Sequence, residues 1–395
     1  MYRFLLIKRT IEDIILLTFV GIGRLVALIN PLKKEYKVYF FFPFYHIGGA
    51  EKVHAQIAQA AGSNSIIFFT RKSHNDGFLQ EFKKSGCDIK DISKLTDNKW
   101  LYFLNFIYRG IITGYINNQK TIPVIFNGQC NFGYKISPWV NKKIRQIELI
   151  HSFNSFSYIR TPFLPFISKT IMISRKRIEE HYQYYKKIKV PDPFAEKIIH
   201  IPNAASLPTS LSSKDYNKFT VLYVGRGGLE KRVHLVTAIA KQIHEKDKSV
   251  QIEIMGDVSN IINYADFPFI KFHGNISDEE TMDKIYSSAN LLLLTSETEG
   301  FPLAVIEAMG HGCIIAATPV GDIPLHIKEG LNGHLFSSVL YEEKIITEGV
   351  GFILGAKNNP AYCQTVSATN FEYAKQHFSI QKFNEAYQNI ILNNK

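Results

Sequence analysis

The residues of this chain best suited to chemistry fall in three short clusters, each pairing backbone freedom with charge. The most specific runs Thr295-Ser296-Glu297-Thr298-Glu299-Gly300-Phe301-Pro302-Leu303 and on to Glu307-Ala308-Met309. It sets Glu299 in a loop and Glu307 on the helix behind it. Carboxylates accept hydrogen bonds from vicinal hydroxyls, so one could hold a sugar and the other a ribose. The amides of the Gly300–Leu303 loop could add donors. The second cluster is Gly225-Arg226 with Lys231 close behind. Two cations there could neutralise a diphosphate leaving group, Arg as a two-pronged donor and Lys as a point charge. The third is Gly48-Gly49-Ala50-Glu51, where glycines let backbone N–H groups approach a ligand at a helix N-terminus. By itself this cluster reads equally well as a tight packing turn. It is neither a Walker loop nor a Gly-x-Gly-x-x-Gly fingerprint.

The elements that must position these clusters are strands alternating with helices, the pattern of βαβ units and parallel sheets. In the first half the spacing predicts strands at Val38–Phe42, Ser65–Phe69, Val124–Phe126, Gln146–Ile150 and Thr170–Ile173, with a helix from about Glu51 to Ala61. In the second half it predicts Thr220–Val224, Gln251–Met255, Ile270–Phe272, Leu291–Leu294 and Ile314–Ala316. Gly48 then follows the first strand of one sheet, and Gly225 the first strand of the other. Arg226 and Lys231 sit at a carboxyl strand edge, where open α/β sheets bind ligands. Arg232 reads as part of the solvated rim. Pro302 suits the first turn of a helix that Gly310 and Gly312 end.

With these residues in place, the chain resembles the retaining glycosyltransferases of family 4, the glycosyl transferases group 1. The resemblance rests on the Gly48-Gly49 loop, on Gly225-Arg226 with Lys231, and on Glu299-Gly-Phe-Pro-Leu-Ala-Val-Ile-Glu307. Further echoes are Ile201-Pro202-Asn203, Thr318-Pro319-Val320-Gly321 and Gly330-Leu331-Asn332-Gly333. It is dense over 198–336 and thinner over 38–200, and residues 1–35 lie outside it. It implies an α/β GT-B fold, two Rossmann-like parallel-sheet lobes with an interdomain cleft. It further implies that a sugar passes from a nucleotide-sugar to an acceptor with retention of configuration; the basic first half and apolar N-terminus, not the resemblance, point to a glycan or lipid-linked acceptor, as in bacterial surface polysaccharide or lipopolysaccharide biosynthesis. Carried onto this chain, Arg226 and Lys231 bind the donor diphosphate and Glu307 the ribose. Glu299 and the amides of Gly300, Phe301 and Leu303 around Pro302 hold the transferred sugar. His151, after the strand Gln146–Ile150, resembles the first-lobe histidine near the reacting sugar. The chain departs from the family at Lys231-Arg232, Asn203-Ala204-Ala205 and Val320–Leu325. No Asp-x-Asp occurs, so neither a metal nor another cofactor is expected. A catalytically idle sugar-binding homologue and a nucleotide-sugar epimerase are the rivals. A nicotinamide dehydrogenase is weaker, since the dinucleotide fingerprint is missing.

Length and composition agree with two soluble domains: 395 residues, 46% hydrophobic and 21% charged. The organisation expected is a segment 1–35, an acceptor-side lobe 36–202, a polar linker 203–217, a nucleotide-sugar lobe 218–370 and a C-terminal helix or helix pair 371–395 crossing back to the first lobe. Cys87, Cys130, Cys313 and Cys363 are too far apart for a disulfide scaffold and fit a reducing, cytoplasmic setting. The net charge of +11 is lopsided: residues 1–200 hold 30 Lys and Arg against 14 Asp and Glu, leaving 16 against 21 for the rest. A basic first half suits an anionic membrane surface or a lipid-linked acceptor; with no recognised module, nucleic acid is not expected. Residues 11–32 read as an apolar helix interrupted by Arg24, whose charge disfavours a true span. An interfacial helix at the inner face of the membrane is the favoured reading. A helix packed on the protein body and a weak signal anchor are the alternatives.

Overall fold

The computed structural model describes residues 1–393, with the side chain at position 102 outside that description. The chain divides into two compact units, Met1–Ile201 with Asn384–Lys395, and Pro202–Phe383.

The first unit is built on a seven-stranded parallel sheet: β1 (Val38–Phe42), β2 (Ser65–Phe69), β3 (Asp88–Asp91), β4 (Val124–Asn127), β5 (Arg145–Ile150), β6 (Lys169–Met172) and β7 (Ile198–His200). Their spatial order is β3-β2-β1-β4-β5-β6-β7. Every residue of β1 and β2 is buried, because helices cover both faces and leave no polar side to alternate with. Strand β5 is pinned by a buried charge. Glu148 takes two bonds from Arg160, at 3.1 and 2.6 Å, and one each from Tyr134 and Thr170. A buried ion pair is tolerable only when its lone pairs are satisfied in this way.

The helix Tyr2–Ile29 starts nine residues earlier than the apolar pattern alone indicates and stops short of Pro31. Its polar start is helical because Arg9 and Asp13 pair one turn apart, at 3.4 Å. It packs on the helix Tyr102–Asn117 through small residues. A Cβ on Gly23 would overlap the Ile107 carbonyl and lie 2.8 Å from the Gly110 Cα, and one on Gly114 would lie 2.6 Å from the Ala27 Cβ. Gly23 and Ala27 therefore oppose Gly110 and Gly114, a spacing that brings two helix backbones into contact. Arg24 turns inward and donates to the Trp139 carbonyl at 2.6 Å. The segment packs on the protein body on one side, and its outer face stays apolar and exposed. No helix among the described residues is long and apolar enough to cross a membrane.

The second unit carries a six-stranded parallel sheet: β8 (Thr220–Val224), β9 (Gln251–Met255), β10 (Ile270–Gly274), β11 (Leu291–Leu294), β12 (Ile314–Ala317) and β13 (Gly333–Leu335), in the order β10-β9-β8-β11-β12-β13. The polar stretch 203–217 is tied to the body of the second unit. Buried Asn203 donates to the Phe301 carbonyl at 3.1 Å, and the Lys214 ammonium reaches the carbonyls of Tyr286, Ser287 and Ala289. The C-terminus forms two helices, Pro360–His377 and Ile380–Leu392. The second of them serves the first unit: Arg145 of β5 donates to the carbonyls of Ile390 and Ile391, both at 2.9 Å.

Candidate active site

Each sheet has one place where the strand order reverses direction, and ligand crevices in open α/β sheets form beyond the carboxyl ends of the strands there. In the second unit that place lies between β8 and β11, which are hydrogen-bonded neighbours. The loop after β8 carries Gly225, Arg226 and Lys231, and the loop after β11 carries residues 295–302. The two loops are joined by backbone, since the Glu297 amide donates to the Glu230 carbonyl at 2.7 Å. They are joined again by Arg232, which is buried and not on a solvated rim as its sequence context indicates. Its guanidinium donates to the carbonyls of Thr295 at 2.9 Å and Val339 at 2.6 Å. To reach them the backbone adopts φ +47, a left-handed conformation that costs a non-glycine residue free energy.

This strap brings the Lys231 ammonium within 2.6 Å of Glu299 Oε1. Ser296 Oγ donates to the same oxygen at 2.7 Å. The pair is mostly buried, with side-chain exposures of 21% and 10%. Arg226 lies apart from it: 78% of its side chain is exposed, and its partner is Glu230 at 3.2 Å. Glu307 accepts from the Tyr286 hydroxyl at 2.8 Å. Burial, and next the Glu307 charge, push that phenol well above its usual range. Burial and the charges of Glu299 and Glu230 push Tyr223, on β8, the same way. Both phenols stay protonated and remain donors at neutral pH.

The loop 299–302 owes its shape to three contacts. Phe301 is buried, its ring 4.4 Å from His326 and 5.0 Å from Phe378. The Asp322 amide donates to the Gly300 carbonyl at 2.8 Å. Gly321, at φ +59, lies so near that carbonyl that a Cβ would overlap it. Pro302 is the N-cap of the helix Leu303–Gly310 and not its first helical residue. The amides at Leu303 and Ala304 thus open the helix, where backbone donors lack intrahelical partners and negative charge is favoured. Lys231, Glu299, Ser296 and this helix start converge on one strand edge. The set can neutralise a diphosphate and accept from hydroxyls beside it.

In the first unit the order reverses between β1 and β4. Gly48 is the N-cap of the helix Gly49–Ala61. The Glu51 carboxylate folds back over Gly48, where a Cβ would overlap it, so the helix N-terminus already faces a negative group. His54 on the same helix lies 3.0 Å from His151, Nε2 to Nε2. Burial holds His151 down at about 4. Burial together with its neighbour holds His54 well below the usual imidazole range. The two rings are a neutral donor–acceptor pair. His54 escapes a sequence search because it occupies the core face of a helix; its signal is a histidine three positions after Glu51, on the face turned to the sheet. Gly48, Gly49 and His151 thus belong to one unit, and Gly225, Arg226, Lys231, Glu299–Leu303 and Glu307 to the other. Among the described residues no group of three or more His, Cys, Asp or Glu could hold a metal ion.

Residues 218–347 match the family model described as Glycosyl transferases group 1. Among curated proteins the chain is 31% identical over 134 residues to the sulfoquinovosyl transferase SQD2 of Arabidopsis thaliana, covering 32% of this chain and 25% of that protein. It is 26% identical over 130 residues to the uncharacterized glycosyltransferase MJ1607 of Methanocaldococcus jannaschii, covering 31% and 33%. The match therefore spans a quarter to a third of those relatives. Among solved structures, Anabaena Alr3699/HepE in complex with UDP and glucose superposes with a TM-score of 0.71 at 16% identity, over 90% of this chain and 99% of that one. A glycosyltransferase from Rickettsia africae ESF-5 gives 0.66 at 15% identity, over 91% and 100%. At such identities the likeness is one of fold: two Rossmann-like parallel-sheet units, the GT-B architecture.

Proposed function

We propose that this protein is a glycosyltransferase that moves a sugar from a nucleoside-diphosphate sugar onto a hydroxyl of a glycan or lipid-linked acceptor. The observation that carries the reading is the Lys231–Glu299 contact at the strand reversal of the second unit, within the stretch that matches the family model. In this reading a bound donor inserts between the two side chains. Lys231 then turns to the diphosphate, aided by Arg226 and the amides that open the helix Leu303–Gly310. Negative charge grows on the leaving oxygen as the glycosyl bond breaks, so fixed donors there lower the barrier. Glu299, steadied by Ser296, accepts from the sugar hydroxyls, and Glu307 accepts from the ribose. His151, kept neutral, hydrogen-bonds a sugar hydroxyl. Because these cations meet the leaving-group charge, the reaction is proposed to need no metal.

Retention of configuration and family 4 membership are extensions of this proposal from the resemblance; a place in bacterial surface polysaccharide or lipopolysaccharide biosynthesis at a cytoplasmic membrane face extends it from the basic first half and the apolar N-terminal segment. UDP-sugars are the first donors to try, because HepE was solved with UDP. The test is a panel of UDP-, GDP- and ADP-sugars offered to purified protein with an extract of lipids and polysaccharides as acceptor pool. Acceptor-dependent release of the nucleoside diphosphate is the expected outcome. Interconversion of the donor sugar would make the protein an epimerase, and binding without turnover an idle homologue. Failure of every nucleotide-sugar to bind would end the reading.

A further inference from the structure

The first unit holds a polar cavity of about 310 Å³ in which Arg71, Arg109 and Lys135 face a single lining acid, Asp97. It opens beyond the carboxyl end of β2, where Thr70 and Arg71 follow Phe69. None of these residues was drawn into the donor chemistry, which belongs to the other unit. Arg109 is buried and donates through Nε to Asn105 at 3.1 Å. Arg71 meets Asp97 at 3.6 Å, and Lys135 meets Glu12 at 3.3 Å. Burial pushes the Asp13 carboxyl up, and Lys135 and Arg109 lie near enough for both charges to oppose that push. Guanidinium groups suit planar or tetrahedral oxyanions, and desolvating them raises the value of such a partner.

The cavity is continuous with an uncovered apolar surface. Asn105 and Arg109 lie on the helix Tyr102–Asn117, and the Arg109 guanidinium sits 4.9 Å over the Phe106 ring. Phe106 packs against Phe103 and Phe19, at 6.2 and 5.8 Å. Phe103 is 68% exposed, and Trp100, just before this helix, is 94% exposed. Alongside runs the outer face of Tyr2–Ile29, where Ile11, Ile14, Ile15 and Leu25 are all exposed. Contiguous apolar surface of this kind, with a cationic pocket at its margin, marks an interaction site. Arg3, Lys8 and Lys99 are exposed beside it.

We propose that the cavity binds the phosphate of an acceptor whose alkyl chain lies along the apolar surface of the two helices. Arg71 and Lys135 are held by acids only at 3.6 and 3.3 Å on partly exposed side chains, so both can turn to an oxyanion that enters beside Arg109, and the aromatic run leading out of the pocket suits hydrocarbon. An amphipathic phosphate ester satisfies both at once. This deepens the glycosyl-transfer reading by naming the acceptor's class, and it rests on that reading only for the word acceptor.

The test measures binding and not turnover, so its failure is separable from failure of the donor chemistry. Dodecyl phosphate below its micelle concentration is titrated calorimetrically into the full-length protein, with inorganic phosphate and dodecyl maltoside as separate probes. Dodecyl phosphate should bind at least tenfold more tightly than either. The double variant Arg71→Ala with Lys135→Ala should weaken it tenfold or more while leaving nucleotide-sugar binding unchanged. Both side chains are partly exposed, so the melting temperature serves as the control for folding. Equal binding of dodecyl maltoside, or an unaffected double variant, would overturn the oxyanion site. Equal binding of inorganic phosphate would overturn the lipid chain.

Discussion

Replacing Lys231 with Ala separates two roles that the same ammonium could play. In the structure it neutralises Glu299 at 2.6 Å; in the proposed reaction it meets the departing diphosphate. Removal of a donor aimed at developing charge costs about 10²–10³ in kcat, or roughly 2.7–4 kcal/mol. Orphaning a fully buried partner would cost about 3–5 kcal/mol of stability, but Lys231 is one-fifth exposed and Ser296 still donates to Glu299, so about 1–2 kcal/mol is expected. Nucleoside diphosphate release under saturating donor gives kcat, and a thermal melt gives the stability change. The informative control is the double variant Lys231→Ala with Glu299→Gln, which removes the orphaned charge. It should recover the melting temperature and leave turnover low. If the double variant regained parental turnover, Lys231 would do no more than silence Glu299, and its role toward the diphosphate would be refuted.

Three further outcomes follow from the geometry. His151 titrates at about 4 when folded against roughly 6.5 when unfolded, so the unfolded chain binds more protons between those values; stability present above pH 6.5 should fall as pH drops toward 4, by at most about 3 kcal/mol from this group. Urea unfolding at pH 7 and pH 5 measures it, and the combined change of His54 and His151 to Phe should flatten the slope. Gly321→Ala drives a Cβ into the Gly300 carbonyl and adds left-handed strain, so it should raise the donor KM and lower the melting temperature together, the loop 299–302 being displaced; an unchanged KM would contradict the contact. Gly23→Val pries the helix Tyr2–Ile29 from Tyr102–Asn117; limited proteolysis should then cut near residue 30 much faster, whereas unchanged cleavage would contradict the close helix contact.

Where one force dominates, the sequence alone located the element. Strands β1, β2, β8, β9 and β11 coincide with their apolar runs because burial on both faces leaves no other reason for VYFFF or LLLL. Strands β3, β7 and β13 escaped. Each has three or four residues at or near a sheet edge, and β3 reads Asp-Ile-Lys-Asp, so pairing with a neighbour decides its conformation and composition does not. The glutamates and Lys231 were legible through their spacing on either side of a strand end. Arg232 was not, because an arginine beside a lysine looks like solvated charge until the carbonyls it ties together have been brought near by folding. His54 was hidden for the same reason, since it acts through His151, 97 residues away in sequence; Ser296 lies three residues from Glu299, but a serine in a polar loop carries no sign of which carboxylate it holds. Asn203 shows the reverse case, a polar residue in a Pro- and Ser-rich stretch whose amide is spent on holding Phe301.

The last dozen residues belong to the body that the first two hundred begin. Arg145 is satisfied by the carbonyls of Ile390 and Ile391, and the buried Tyr387 ring lies against Phe126 of β4. The amino-terminal body therefore keeps one flank of its sheet bare until chain made after the whole of its partner body folds back onto it. Its partner body, contiguous in the chain, can close first. A truncated product ending near residue 201 would carry that bare flank permanently, and aggregation is the fate it should meet.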